Sequence, residues 1–176
     1  MTHRICITGP EATGKSTLAQ ALAKEFSCPW VPEFARDYLK SLGKPYTEHD
    51  LEQILRGQIR LEERRATDPG AYLICDTGPE VIWVWGHFKY GRVSPFIDRE
   101  AKSRHYDHTL LLETDLPWID DPLRENPSLA DRRKLFQLYK DLLTESQRSF
   151  TIISGQGHAR IDSALNALAS FVPQER

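Results

Sequence analysis

Three observations predict an α/β fold: a three-layer sandwich in which a five-stranded parallel sheet carries helices on both faces. Short apolar runs alternate along the chain with segments whose apolar residues recur at helical spacing. The runs are apolar at most positions, as expected for parallel strands that are buried on both faces. Glycines or acidic residues follow each run, so the carboxyl ends of the strands should form one polar edge where ligands bind.

The strands are predicted from apolar runs of three to five residues. They cover residues 4–8, 30–32, 71–75, 109–112 and 150–153. Asp76 directly follows the third run, and Gly9 directly follows the first. Both residues are therefore expected at the polar edge of the sheet.

The intervening segments have helical spacing, and several have recognisable ends. Helices are predicted after residue 14, over 33–42, from 47 onward, over 79–90, from 128 onward, and after 157, where the apolar stripe reaches Phe171. Thr47 and Ser128 each precede an aspartate by three positions, which is capping-box spacing. Gly43 is a typical helix end.

Length and charge limit the possible functions. The 176 residues fit one domain, predicted over 1–176, with a proline- and charge-rich, lid-like segment at about 117–133. The 23 basic and 25 acidic residues give a formal net charge of −2, which argues against nucleic-acid binding. Because no apolar stretch approaches the ~20 residues of a membrane span and no signal peptide is recognisable, we expect a cytoplasmic protein without a membrane partner.

The segment from Gly9 to Ser16 matches the phosphate-loop (P-loop) pattern GxxxxGK[ST] without departure. Its glycines let main-chain N–H groups approach phosphate oxygens at a helix N-terminus, Lys15 reaches the outer phosphates, and Ser16 offers a hydroxyl to Mg²⁺. A tight turn that binds nothing is the alternative. The predicted ATP-binding residues are Gly9, Glu11, Ala12, Thr13, Gly14, Lys15, Ser16, Thr17 and Arg132.

The P-loop is shared by several classes of protein. The Asn-Lys-x-Asp tetrapeptide that reads guanine in GTPases does not occur, and a mechanical ATPase would be expected to carry more domain than 176 residues supply. The pattern and the length therefore favour a P-loop NTPase fold that serves a small-molecule kinase.

The P-loop and the segment Val31-Pro-Glu-Phe-Ala-Arg36-Asp-Tyr38-Leu together resemble the NadR-type ribosylnicotinamide kinases. The resemblance continues at residues 57–58, 75–77, 90–91, 116–118 and 121–124, and so covers nearly the whole chain. It implies a nucleoside-kinase-like domain that uses ATP to phosphorylate nicotinamide riboside to nicotinamide mononucleotide.

The chain departs from the family in two respects. The family usually has Asp-Thr-Asp after the third strand, whereas this chain has Asp76, Thr77 and Gly78; Glu80 offers a substitute carboxylate two residues later. Multifunctional members also carry an adenylyltransferase domain and a DNA-binding segment, which we do not expect in this length.

Two carboxylates are the main catalytic candidates. Asp76 should lie beside the P-loop strand as a partner of Mg²⁺, together with Ser16, although it could instead cap the next helix. Glu33 opens a helix at the sheet edge and could accept the proton of a sugar hydroxyl, although it could instead serve as a first-turn helix charge. Asp37 is a weaker alternative base.

Arginines are expected to neutralise phosphate charge, because a guanidinium pairs bidentately with phosphate. Arg124 lies in the lid-like segment and is a catalytic candidate, and Arg132 begins the helix behind it. Arg36 could hold substrate or phosphate. The alternatives are a surface salt bridge for Arg36 and a solvated surface charge for Arg124 and Arg132.

Aromatic side chains would bind a cationic ring such as nicotinamide. Tyr38, Trp85 and Trp118 are predicted to bind substrate, although most aromatic residues are more often core than ligand-facing. Residues 154–158 follow the last strand, which is where nucleoside kinases hold the edge of adenine. The alternative interpretation of this segment is a plain turn that binds no ligand.

The sequence therefore predicts a kinase that uses ATP and Mg²⁺ and phosphorylates a small-molecule nucleoside, most specifically nicotinamide riboside. The alternatives are a kinase for another nucleoside and a regulatory ATP-binding module without turnover. The oligomeric state is not predicted.

Overall fold

A computed structural model describes residues 2–170. The ends of the predicted domain, Met1 and residues 171–176, lie outside the described residues. Phe171, predicted to close the last apolar stripe, is among them.

The sheet has five parallel strands, as predicted. They are β1 (His3–Thr8), β2 (Trp30–Val31), β3 (Tyr72–Asp76), β4 (His108–Leu112) and β5 (Phe150–Ile153). Their order across the sheet is β2-β3-β1-β4-β5, and every neighbouring pair is parallel. Ile7 of β1 lies opposite Asp76 of β3, so the P-loop and Asp76 follow adjacent central strands.

Seven helices complete the described chain. They are α1 (Lys15–Glu25), α2 (Phe34–Leu42), α3 (Glu48–Arg65), α4 (Pro79–Tyr90), α5 (Pro95–Ser103), α6 (Leu129–Glu145) and α7 (His158–Ala169). The apolar spacing does not predict α5, because this nine-residue helix buries only Ile97 and Ala101. Its local signals are Ser94, whose hydroxyl accepts a hydrogen bond from the Ile97 N–H, and Pro95 in the first turn.

The predicted three-layer arrangement is confirmed by the packing of successive strand residues. In β4, Leu110 and Leu112 pack with α1 and α7, whereas Leu111 packs with α4 and α6 on the opposite face. Side chains alternate across a strand, so a run that is apolar at every position has to be covered on both faces. Within residues 2–170, no helix is both long and apolar enough to cross a bilayer.

The predicted helix ends are also confirmed. Thr47 is the N-cap of α3, and its N–H donates to the Asp50 carboxylate at 2.8 Å. Ser128 is the N-cap of α6 and accepts from the Asp131 N–H. Gly43 ends α2 in the left-handed conformation, with φ of 66°.

Candidate functional site

The P-loop joins β1 to α1 through a bend that only small residues allow. Gly9 has φ of 140°, and a Cβ there would lie 2.9 Å from the Leu112 carbonyl oxygen. Ala12 and Gly14 are also left-handed, with φ of 57° and 80°. The loop therefore delivers the chain directly to the first turn of α1, where unpaired N–H groups and the helix dipole favour an anion.

Lys15 is held within this loop. Its Nζ donates to the carbonyl oxygens of Gly9 at 2.9 Å and Pro10 at 2.8 Å. Loss of hydration lowers the pKa of Lys15, and the carboxylates of Glu33 and Asp76 oppose that shift. Neutral carbonyl groups are weaker partners for an ammonium than phosphate oxygens are, so an incoming phosphate competes well for Lys15.

Asp76 is a buried carboxylate with an unused ligand position. The residue is 1% exposed, and its Oδ1 has no hydrogen-bond partner among residues 2–170. Burial raises its pKa to about 6, against a hydrogen bond from the Ser16 hydroxyl. Because buried carboxylate oxygens are normally satisfied, this Oδ1 and the adjacent hydroxyl fit a hard cation such as Mg²⁺. The helix-cap alternative for Asp76 is wrong, since Gly78 is the N-cap of α4.

Glu33 stands at the start of α2, directly after β2 and Pro32. It lines a cleft of about 210 Å³ together with Lys15, Ser16, Arg36 and Arg124, as well as Glu11 and Trp85. The structure therefore brings together most of the predicted catalytic residues around one space. Both the base and the helix-charge roles of Glu33 are compatible with this position.

Gln58 of α3 holds the turn that carries Glu33, a role that the sequence alone does not reveal. Its Oε1 accepts from the Phe34 N–H at 2.8 Å, and its Nε2 donates to the Pro32 carbonyl oxygen at 3.3 Å. Gln58 is only 3% exposed. Its amide thus fixes the main chain on both sides of Glu33, while the Glu33 side chain remains on the cleft wall.

Arg36 lines the cleft and also forms an ion pair with the lid-like segment. Its Nη1 lies 2.9 Å from Asp121 Oδ2, and this hydrogen bond is the main cause of the raised pKa of Arg36. The salt-bridge alternative therefore describes part of its role. Asp37, the weaker candidate base, is exposed and does not line the cleft.

The two lid arginines occupy different positions. Arg124 lies on the cleft wall, and its guanidinium donates to the Ile119 carbonyl oxygen. Arg132 is 4% exposed and donates to the Leu116 carbonyl oxygen at 3.2 Å, away from the cleft wall. ATP binding by Arg132 therefore stays a prediction without support from its position.

A second cavity of about 220 Å³ adjoins the cleft, and we call it the aromatic cavity because three aromatic side chains line it. The two share Glu11, Leu39, Trp85 and Leu123, and the second cavity adds Tyr46, Phe88, Lys89, Glu125, Asn126 and Leu135. Trp85 lines both cavities, and its role in substrate binding stays a prediction. Tyr46 was missed because it lies in the short loop before α3, outside any motif.

The other two predicted substrate-binding aromatics lie elsewhere. The Tyr38 hydroxyl donates to Asp50 at 2.7 Å and lowers the pKa of that carboxyl to about 2. The Trp118 indole N–H donates to Asp120 at 2.7 Å. Neither Tyr38 nor Trp118 lines the two cavities, so their roles in substrate binding stay predictions.

A third, apolar cavity of about 260 Å³ lies on the other flank of the P-loop. It is lined by Gly14, Thr17, Leu18, Leu116, Gly157, His158, Arg160 and Ile161. The predicted adenine-holding segment, 154–158, therefore contributes its last two residues to a cavity beside α1. Asp115 braces this region by accepting from the Gly155 N–H at 2.7 Å and by pairing with Arg160.

Glu80 does not replace the acid missing at position 78. Its side chain is fully buried and forms an ion pair with Arg148, and it lies 4.0 Å from the Cys6 sulfur. The expectation that Glu80 offers a substitute carboxylate to the substrate is therefore wrong. A buried ion pair of this kind has to be complete, because losing either partner leaves an uncompensated charge.

The sequence is similar to part of longer curated proteins. The Trifunctional NAD biosynthesis/regulator protein NadR of Escherichia coli (strain K12) is 26% identical over 160 residues, which cover 88% of this chain and 38% of that protein. The chain thus spans well under half the length of this curated relative.

Solved structures show the same fold. A crystal structure of NadR protein in complex with NR matches with a TM-score of 0.84 at 21% identity, covering 99% of this chain and 53% of that one. Deoxyadenosine kinase from M. mycoides matches with a TM-score of 0.59 at 15% identity, covering 95% and 99%. The predicted nucleoside-kinase-like fold is confirmed. A family model described as an AAA domain matches residues 4–160, from β1 through the P-loop and the lid into α7, and the chain belongs to this AAA domain family.

Proposed function

We propose that this chain is an ATP-dependent nucleoside kinase whose preferred acceptor is nicotinamide riboside. The observation that carries the proposal is that three adjoining cavities surround the P-loop. They are the apolar cavity beside α1, the charged cleft that Glu33 lines and the aromatic cavity that Trp85 lines. This arrangement suits an adenine ring, a polyphosphate and an acceptor base in that order. The similarity to NadR supports the choice of acceptor.

The donor would run from the apolar cavity across the P-loop. Gly157 and His158 would border adenine, and the first turn of α1 and Lys15 would hold the phosphates. Ser16 and Asp76 would hold Mg²⁺, directly or through water, and that ion would neutralise phosphate charge during transfer.

Transfer would occur in the charged cleft. The 5′-hydroxyl oxygen forms a bond to the γ-phosphorus as the bond from that phosphorus to the β-phosphate oxygen breaks, and ADP leaves. The hydroxyl proton passes to the carboxylate of Glu33, which lies on the cleft wall. Asp76 is suited to the metal instead, because it is buried next to Ser16. Lys15 and Arg124 stabilise the charge on the transferring group.

The aromatic cavity favours a planar, positively charged base. Trp85, Tyr46 and Phe88 supply ring faces, and Glu11 and Glu125 supply two carboxylates against the single ammonium of Lys89. A pyridinium ring gains both from stacking and from this negative balance. A neutral base would gain only the stacking.

Replacing Trp85 with alanine should raise the KM for the nucleoside about 5- to 150-fold, because stacking on an aromatic side chain contributes about 1–3 kcal/mol per base. The KM for ATP should change little. Trp83→Ala is the matched control: the Trp83 indole donates to Asp98 and does not line the cavities. Equal effects of both variants on the KM for the nucleoside would remove Trp85 from the acceptor site.

Glu33→Gln should lower kcat by about 10²- to 10⁴-fold, since the amide cannot accept the hydroxyl proton. ATP affinity, measured by calorimetry, should be kept. Asp37→Asn is a suitable control because Asp37, the alternative base, is an exposed carboxylate on the same helix and does not line the cleft. Unchanged turnover in Glu33→Gln would exclude Glu33 as the base.

A panel of nucleosides tests the function as a whole. Purified protein with ATP and Mg²⁺ should release ADP fastest with nicotinamide riboside. Faster release with a deoxynucleoside would reassign the acceptor. Tight ATP binding with no accepted nucleoside would favour the regulatory ATP-binding module, which the Asp-Thr-Gly segment allows.

A further inference from the structure

Glu11 connects the P-loop to the lid-like segment. Its Oε1 accepts from the Glu125 N–H at 3.0 Å, and its Oε2 accepts from the Asn126 N–H at 2.9 Å and from Asn126 Nδ2 at 3.1 Å. Both carboxylate oxygens are therefore engaged by consecutive residues of the lid. Glu11 is 114 residues from Glu125 and 115 residues from Asn126 in the sequence, so the contact is long-range.

Charge assistance makes this contact stronger than an ordinary loop contact. Hydrogen bonds to an ionised carboxylate are roughly twice as strong as those between neutral groups. Two consecutive main-chain N–H groups also fix the direction of the chain, because their positions are set by the peptide planes. Glu11 thus holds the main chain of the lid at one defined point.

The residue that precedes this point is Arg124. The main chain at Glu125 is anchored to Glu11, and the Arg124 N–H donates to the Asp121 carbonyl oxygen at 2.9 Å. These two contacts together set the direction in which the Arg124 side chain projects, and its guanidinium donates to the Ile119 carbonyl oxygen. Arg124 and Glu11 both line the charged cleft. On the far side, the Glu125 carboxylate accepts from the Tyr46 hydroxyl at 2.6 Å and from Lys89 Nζ at 2.8 Å, which ties the anchored segment to the aromatic cavity.

We propose that Glu11 is a positioning residue: through the main chain of Glu125 and Asn126 it aims Arg124 at the phosphate held by the P-loop. This inference rests on the proposed function for its kinetic consequence, but its structural part concerns the chain alone. Glu11 was predicted to bind ATP because it lies in the P-loop. That role stays a prediction. The carboxylate itself contacts the lid, and electrostatic repulsion makes a carboxylate a poor direct ligand for phosphate.

The first test measures hydrogen exchange in the nucleotide-free full chain, and so does not depend on the acceptor. In Glu11→Gln the main-chain amides of Glu125 and Asn126 should exchange at least ~10-fold faster, because each loses a charged acceptor. Glu52→Gln is the matched control: Glu52 also accepts three hydrogen bonds, from Arg56 and Ser94, and lies outside the cavities. Equal exchange at Glu125 and Asn126 in both variants overturns the proposal, whatever the protein phosphorylates.

The second test is a double-mutant cycle on kcat, using the nucleoside that the panel selects. Glu11→Gln should lower kcat about 10- to 100-fold with a smaller change in the KM for ATP, as expected when a charged group is misplaced. In a chain that already carries Arg124→Ala, the same change should cost less than about threefold. If the loss of kcat in the double variant equals the product of the losses in the two single variants, Glu11 acts independently of Arg124, and the proposal is overturned. If no nucleoside is turned over, the proposed function fails, while the exchange measurement still decides whether Glu11 holds the lid.

Discussion

Lys15→Ala is expected to abolish measurable phosphoryl transfer, with kcat reduced by about 10²- to 10³-fold or more. Lys15 is the one P-loop side chain that brings a full positive charge to the phosphates, and its two present partners are neutral carbonyl groups. Removing it leaves the main-chain N–H groups but not the charge. The measurement is ADP release at saturating ATP and nucleoside.

Lys102→Ala is the matched control, because it removes a lysine side chain outside the proposed active site. Lys102 pairs with Asp98 within α5, away from the three cavities, so its replacement should leave turnover within about twofold. If Lys15→Ala retains turnover comparable to Lys102→Ala, the P-loop does not serve phosphoryl transfer in this protein.

Asp76→Asn is expected to have two opposite effects. It should abolish Mg²⁺-dependent turnover, because an amide is a weaker ligand than a carboxylate for a hard cation. It should also stabilise the nucleotide-free protein at neutral pH. The pKa of Asp76 rises from 3.8 to about 6 on folding, so the ionised carboxylate costs up to about 3 kcal/mol of folding free energy at pH 7.

The sign of the pH dependence follows from the raised pKa. Between about pH 4 and pH 6 the folded protein keeps a proton on Asp76 that the unfolded chain has lost. The contribution of Asp76 to the free energy of unfolding is therefore full below about pH 4 and is lost as the pH rises through about 6. Urea unfolding at about pH 4 and about pH 7 should show this loss in the wild type and not in Asp76→Asn.

Asp50→Asn should behave in the opposite way. The Tyr38 hydroxyl and Thr47 lower the pKa of Asp50 to about 2, so this carboxylate stabilises the fold above about pH 4 and loses that effect as the pH falls through about 2. Its replacement should destabilise the protein at neutral pH. An Asp76→Asn variant that is also less stable than the wild type at neutral pH would contradict the conclusion that burial of the ionised Asp76 carboxylate destabilises the nucleotide-free fold.

The sheet was predictable because parallel strands buried on both faces leave an unambiguous signal. Residues 71–75 and 109–112 are apolar at almost every position, and the structure covers both faces of each. The helix α5 was not predictable from apolar spacing, since its nine residues contribute only two to the core. There the information lay in Ser94 and Pro95, which act through local hydrogen bonding and backbone restriction.

The parts of the site that could be predicted are those marked by a local sequence motif or by a position directly after a strand. The P-loop, Asp76 and Glu33 follow strands in the sequence, so strand order alone brings them together at one edge. The roles of Gln58 and Glu11 were not predictable, because they depend on hydrogen bonds between elements that are far apart in the chain. Tyr38 and Glu80 lie near motifs and have side chains suited to binding substrate. In the structure, however, Tyr38 donates a hydrogen bond to Asp50 and Glu80 pairs with Arg148.

Phosphorylation of nicotinamide riboside by this chain is the central claim, and ³¹P NMR of the reaction products tests it most directly. Wild-type protein is incubated with Mg²⁺, ATP and nicotinamide riboside, and the products are resolved by their phosphorus signals. The claim predicts that ADP and a 5′-phosphorylated riboside appear in equal amounts, and that neither appears with Lys15→Ala. Formation of ADP with inorganic phosphate alone, or transfer only to a different nucleoside, would contradict it.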